Sequence, residues 1–399
     1  MAGGPGTEAV SGVATRVRLP RGDGTLAPYQ LGPASTFQRP AGPLLSRVAI
    51  AAAHVVADPL AENIAGGPAH LDWEATLAYR RHLWSWGLGV AEAMDTAQRG
   101  MGLDWPVAAE LIRRSLREAK TAGGSVVSGA GTDNLAPGTA KTIDDVMCAY
   151  EEQCAVVEAE GGRVVLMASR ELARIATGPE DYDRVYGRVL GNLRSPAIIH
   201  WLGDMFDPTL AGYLGDADLD RATDNCLAII AGNAGRIEGI KVSLLDEARE
   251  VEVRRRLPAG VRMYTGDDFN FPTLIAGDEH GHSDALLGIF DAIAPAASAA
   301  IQALDACDTD RYRETLEPTV ELSRHVFRTP TFHYKTGIVF LAYLNGHQAH
   351  FRMVGGQEGM RSVPHLAELF TLADRAHLFA DPELAAERMR RLLLLAGVD

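Results

Sequence analysis

From Arg47 onward, short apolar runs alternate with longer stretches in which apolar residues recur every three or four positions. The short runs suit strands buried on both faces, and the longer stretches suit amphipathic helices. Strands are expected at residues 48–53, 89–93, 125–129, 163–167, 197–201, 237–241 and 261–264, with an eighth within 271–281. Between them the spacing predicts helices over 72–86, with Asp72 as N-cap, and over 105–122, 143–160, 181–193 and 219–231. Eight strand–helix units in series point to a (β/α)8 TIM barrel spanning residues 47–297. Ahead of it, residues 1–14 are small and polar and expected to fray, while 15–31 read as a β-hairpin turning at 21–24. That hairpin is placed over the closed, N-terminal mouth of the barrel, within an N-terminal segment 1–46. Residues 298–399 are almost all helical and are expected outside the barrel or at a subunit contact.

Composition narrows the class of protein. An apolar share of 47% over 399 residues supports a large core. A net charge of −14 argues against a nucleic-acid partner, and no apolar run reaches membrane-spanning length. The four cysteines (Cys148, Cys154, Cys226, Cys307) form no CxxC pair and suggest neither a disulfide framework nor a zinc knuckle. With no charged-then-apolar leader at the start, the chain reads as cytoplasmic.

Chemistry concentrates at the strand ends, where parallel barrels bind ligands. Lys241 closes the sixth run, Ile237 to Ile240. Burial there favours the neutral amine, a nucleophile toward carbonyls, so the sharp reading is a Schiff-base lysine. A lysine paired with a carboxylate fits the same spacing. The seventh run leads into Thr265-Gly266-Asp267-Asp268, the second into Asp95-Thr96-Ala97-Gln98, and the third into Gly129-Ala130-Gly131-Thr132.

In that order the motifs resemble the dihydrodipicolinate synthase / N-acetylneuraminate lyase superfamily of class I aldolases, and more closely an uncharacterised, dihydrodipicolinate-synthase-like bacterial branch. The likeness rests on Gly239-Ile240-Lys241, Thr265 to Asp268, Gly129 to Thr132, and a stretch near Tyr334-Lys335-Thr336-Gly337. It implies an aldol or retro-aldol reaction on a small 2-oxo acid or sugar-derived keto compound, through a lysine imine and without another cofactor. It also implies a role in carbohydrate metabolism and assembly as a homodimer or homotetramer. By the same resemblance Lys241 is the nucleophile, Thr96 and Thr132 donate hydrogen bonds to substrate, and Asp267 and Asp268 orient their neighbours. Asp95 stands where the family has glycine, and its charge would repel a substrate carboxylate. After strand four the family tyrosine that shuttles protons is replaced by Ala168-Ser169-Arg170-Glu171, and strand five ends in His200-Trp201 instead of Tyr-Asn. His200 therefore becomes the leading acid/base, with Glu171 second, and Arg170 and Trp201 join the substrate-lining set. A core histidine bound to a backbone carbonyl fits His200 equally. Two rival functions remain: a metal-dependent isomerase or hydratase using His54, Asp204 and His280 as ligands of a divalent cation, and a non-catalytic barrel that binds a sugar or sugar acid.

Overall fold

Eight short strands close on themselves, each parallel to its sequence neighbour, in a computed structural model that describes residues 15–398. The stretch 1–14, expected to fray, lies outside the described residues. Two antiparallel strands come first, β1 (Arg16–Pro20) and β2 (Leu26–Gln30). The barrel follows as β3 (Ala49–Ala52), β4 (Gly89–Glu92), β5 (Val126–Ala130), β6 (Arg163–Leu166), β7 (Ala197–Leu202), β8 (Ile237–Ser243), β9 (Arg262–Thr265) and β10 (Asp284–Leu287). β10 pairs with β3 and completes the (β/α)8 barrel.

Alternation along each strand divides the core in two. Ile50, Ala52, Ala91, Val127, Val165, Ile198, Tyr264 and Leu286 fill the barrel interior. Their neighbours Ala51, Val90, Val126, Val164, Ile199, Ile240 and Val242 face the layer under the helices. Low in the interior Tyr264 donates a 2.9 Å hydrogen bond to Glu238, which also pairs with Arg163 at 2.8 Å. Helix starts are set by side-chain caps: Asp72 accepts from the Ala75 N–H, Asp104 from Val107, and Thr142 with Asp145 forms a reciprocal box.

Three expectations are corrected. The eighth strand is β10, not a segment of 271–281: Pro272 starts a helix over Phe271–Ala276, and 277–282 turn back ahead of the strand. A strand opening on an aspartate reads as polar, yet the Asp284 carboxylate accepts from the Val48 N–H at 2.7 Å and pairs with Arg262. The hairpin lies against the C-terminal helices Val363–Arg375 and Pro382–Leu395 instead of the N-terminal mouth. Tyr29 donates to Asp374 at 2.6 Å and sets its ring edge-on to Phe370. Finally, the C-terminal part is not confined to the outside. Helix Tyr334–Leu344 is buried at every position and packs on Ile289–Ala292, the short helix after β10, so its first turn roofs the C-terminal mouth. Helix Ala294–Asp305 runs through the boundary expected at 297. Among the described residues no helix is long and apolar enough to cross a membrane.

One ion pair ties barrel to helix. Arg80 and Glu92 are both fully buried and meet through two 2.9 Å bonds, while Ser115 from the next helix donates to the same carboxylate. Removing one member strands a buried charge. Arg80→Met should lower the unfolding free energy in urea by about 3–5 kcal/mol, and Arg80→Met with Glu92→Leu should recover much of the loss.

Candidate functional site

β8 turns Gly239, Lys241 and Ser243 inward, because Ile240 and Val242 belong to the outer layer. The strand runs two residues past the lysine, so the amine sits just below the rim, in register with His200 on β7 and Tyr264 on β9. Lys241 is 7% exposed. Among the described residues it has no hydrogen-bond or ion-pair partner. Burial pushes its pKa down, opposed by the fields of Asp268 and Asp95. Gly266 explains the glycine of the Thr-Gly-Asp-Asp loop: a Cβ there would fall on Ser243 Oγ and lie 2.7 Å from Lys241 Cε.

The two aspartates of that loop divide their work. Asp267 accepts from the N–H groups of Phe269 and Asn270 and from the Asn270 side chain, so its carboxylate shapes its own loop. Asp268 accepts from the Ile289 N–H at 2.9 Å. Burial pushes its pKa up to about 7, although the Ile289 N–H and Lys241 pull the other way.

Across the mouth, Thr96 Oγ1 and the Tyr334 hydroxyl are 2.7 Å apart. The Tyr334 ring stacks on Phe327 at 4.3 Å and 16°. Burial, then the field of Asp95, pushes the phenol pKa well up, so it stays protonated. Tyr334 was not among the expected site residues. Its Tyr-Lys-Thr-Gly stretch is part of the family likeness but lies past the barrel, where strand order assigns no position.

His200, Thr132, Asp95, Arg170 and Glu171 line a cavity of about 100 Å3 at the mouth. A neighbouring lobe of about 220 Å3 shares Asp95 and Arg170 and adds Phe206, Phe332 and Lys335. Lys241 lies beside this space, not in its wall; its register partner His200 and nearby Asp95 face the opening. Lys335 is a second buried amine, donating to the Phe332 carbonyl at 3.0 Å, and burial pushes its pKa down to about 8. His200 is fully buried, with Nε2 3.1 Å from Ser243 Oγ and, among the described residues, no partner on Nδ1. Burial and then Lys241 press its pKa far down, which leaves a neutral ring. The Thr132 hydroxyl is 2.7 Å from that of Ser169.

Other expected residues do other work. Glu171 pairs with Arg174 at 2.7 Å and accepts from the Gly138 and Ala140 N–H groups, clamping the loop after β5. Against burial, those bonds hold its pKa low, which unsuits it to proton transfer near neutrality. Arg170 pairs with Asp207. Trp201 is buried in the outer layer beside Ile199, since alternation forbids it from facing in next to His200. The metal set does not converge. His54 is held by Asp291 at 2.9 Å and sits 3.2 Å from Gln348, and Asp204 is exposed. His280 is exposed in the turn before β10, at the opposite end of the barrel. Among the described residues no three His, Cys, Asp or Glu side chains are grouped to hold a cation.

A closed parallel barrel of eight strands, with a buried lysine at its C-terminal mouth, is a (β/α)8 barrel similar in fold to dihydrodipicolinate synthases. The chain belongs to the family described as "Protein of unknown function (DUF993)", whose match spans residues 17–398. No curated protein matches the sequence at a significant level. Among solved structures, YagE, a prophage protein of the dihydrodipicolinic acid synthase family from E. coli K12 in complex with pyruvate, superposes with a TM-score of 0.63 at 14% identity, over 83% of this chain and 99% of its own. The dihydrodipicolinate synthase of Bacteroides thetaiotaomicron gives 0.61 at 15% identity, over 81% of this chain and 98% of its own. That of Aquifex aeolicus gives 0.57 at 13%, over 88% and 98%. At these identities the likeness is one of fold.

Two buried carboxyls make stability depend on pH. Asp268 is pushed up to about 7 and Glu250, under β10, to about 8, burial being the first cause in both. A carboxyl whose folded pKa lies above its unfolded value contributes stability that is complete below about pH 4 and is lost as pH rises through the folded pKa. Buried histidines with lowered pKa, His82, His200, His347 and His365 among them, push the parent's profile the other way below about pH 6.5, so the test is the difference between variant and parent. The urea midpoint of Asp268→Asn minus that of the parent should rise from about pH 4 to about 7, and that of Glu250→Gln from about pH 4 to about 8. A difference that stays flat over its interval would contradict the shift at that residue.

Proposed function

We propose that the chain is a class I aldolase or lyase acting on a small 2-oxo acid or sugar-derived keto compound, with Lys241 as the imine-forming amine. The observation that carries this reading is a buried lysine with no counter-ion at a barrel mouth, 7% exposed and depressed in pKa by burial. The neutral amine attacks the carbonyl carbon, and the carbinolamine loses its oxygen as water to leave a protonated imine. In the retro-aldol direction a base takes the β-hydroxyl proton, the bond between the α- and β-carbons breaks to release an aldehyde, and its electrons flow toward the iminium nitrogen as an enamine. Protonation of the α-carbon and hydrolysis of the imine by water then free the second product and the amine.

Two groups are suited to moving those protons. Asp268, raised to about 7, changes charge near neutrality. The Tyr334 hydroxyl, hydrogen-bonded to Thr96, can donate to a developing alkoxide and be recharged through the threonine. A neutral His200 serves better as a hydrogen-bond partner of the substrate oxygen than as an acid. Asp95 lies in both lobes of the cavity, which favours a hydroxyl-rich substrate segment over a carboxylate beside it. Lys335 is the competing nucleophile, because it lines the cavity and its pKa is about 8.

Borohydride reduction in the presence of pyruvate, other keto acids and ketoses should add one substrate mass per chain, mapped to the peptide carrying Lys241. Lys241→Arg should lose that adduct and Lys335→Met should keep it. Label on Lys335 alone moves the chemistry to the second amine, and no label across the panel removes the imine mechanism.

A further inference from the structure

Away from the barrel mouth, a recess of about 670 Å3 lies between the hairpin and the helices Pro318–Val326 and Val363–Arg375. Four arginines line it, Arg21, Arg328, Arg361 and Arg375, against a single carboxylate, Glu368. In a chain of net charge −14 this is a local reversal of sign. Several surface arginines elsewhere are neutralised: Arg184, Arg188, Arg221 and Arg256 each hold an aspartate or glutamate at 2.5–2.8 Å. Among the described residues Arg21, Arg328 and Arg375 make no ion pair. Of the four, Arg328 and Arg361 feel one another: after burial, the Arg328 charge lowers Arg361.

Three further features of the recess favour an oxyanion. His325 and His365 stack at 4.0 Å and 18°, and among the described residues the buried Nε2 of His365, 7% exposed, has no partner. Arg361 spends one end on the carbonyls of Arg328 and Pro330, at 2.7 and 3.0 Å, while its buried Nε also has no partner among the described residues. The helix Val363–Arg375 opens on the recess through Ser362, Pro364 and His365, adding the positive end of its dipole. The uncompensated field is felt by the rings themselves: after burial, Arg361 and Arg328 are among the groups that lower His365.

We propose that this recess binds a small anion carrying two or more phosphate charges, such as inorganic pyrophosphate or the diphosphate of a nucleotide. Three arginines without an ion pair and a helix N-terminus along one recess suit a ligand with several phosphate oxygens better than a single carboxylate. The volume suits a compact ligand and not a polymer. The site stands apart from Lys241 and does not depend on the chemistry proposed there.

Isothermal titration of the whole protein with inorganic pyrophosphate, and separately with ADP, tests it. One site per chain is expected, with affinity falling steeply between 50 and 200 mM salt. The double variant Arg328→Ala, Arg375→Ala should weaken binding by about tenfold or more, some 1.4 kcal/mol. Arg21→Ala, at an exposed turn where folding is not at stake, should weaken it less. Arg184→Ala should leave it unchanged, and melting temperatures without ligand show that each variant is folded. No binding of either anion, or binding that survives the double variant, overturns the site. So does a double variant whose only change is its subunit number, since the recess is then a contact between copies.

Discussion

The desolvation of one amine is the constraint around which the upper half of the barrel is arranged. A lysine buried at 7% exposure without a carboxylate within ion-pairing distance can be kept only by surrendering its proton more readily than in water. Each neighbour contributes to that outcome. Below, Tyr264 plugs the barrel and spends its hydroxyl on Glu238 instead of the amine. Beside it, Gly266 allows the β9 loop to lie against the lysine stem. Above, the first turn of Tyr334–Leu344 roofs the mouth. Asp268 and Asp95 act on Lys241 only through space, so they moderate the depression without cancelling it. The same low dielectric that lowers the amine raises Asp268 to about 7. Acid and base are thus brought toward one another by a single cause.

Much of this was legible from sequence, and the reasons are physical. Strands buried on both faces are unbroken apolar runs, and seven of them stood out for that reason. β10 did not, because its first residue, Asp284, uses a carboxylate to satisfy the backbone of β3 and pair Arg262, and so reads as loop. Lys241 and the Gly-Asp-Asp loop were visible because a strand end followed by glycine and acids is a local pattern. Trp201 was misplaced although the rule that excludes it is equally local: adjacent residues on a strand face opposite ways, and His200 already faces in. Tyr334 and Asp374 were beyond reach, since their importance comes from packing over more than 230 and 340 residues of intervening chain. No periodicity encodes such contacts.

The departures from the family pattern at strands four and five become coherent once the roof is included. Where the resemblance calls for a tyrosine after strand four, Ser169 caps the helix Arg170–Ile175 and Glu171 clamps the preceding loop, so that strand end has become scaffolding. A phenol is nevertheless present at the mouth, delivered from the opposite direction by the C-terminal helix and bonded to Thr96. A tyrosine on a strand is positioned by the barrel alone. One on a roofing helix is positioned by that helix's own packing, here the stack on Phe327. Phe327 adjoins Arg328, so the segment that forms one wall of the arginine-lined recess also supports the phenol. The C-terminal helices are therefore part of the site's architecture: the pattern of buried faces that fastens them to the barrel also sets where the Tyr334 hydroxyl stands.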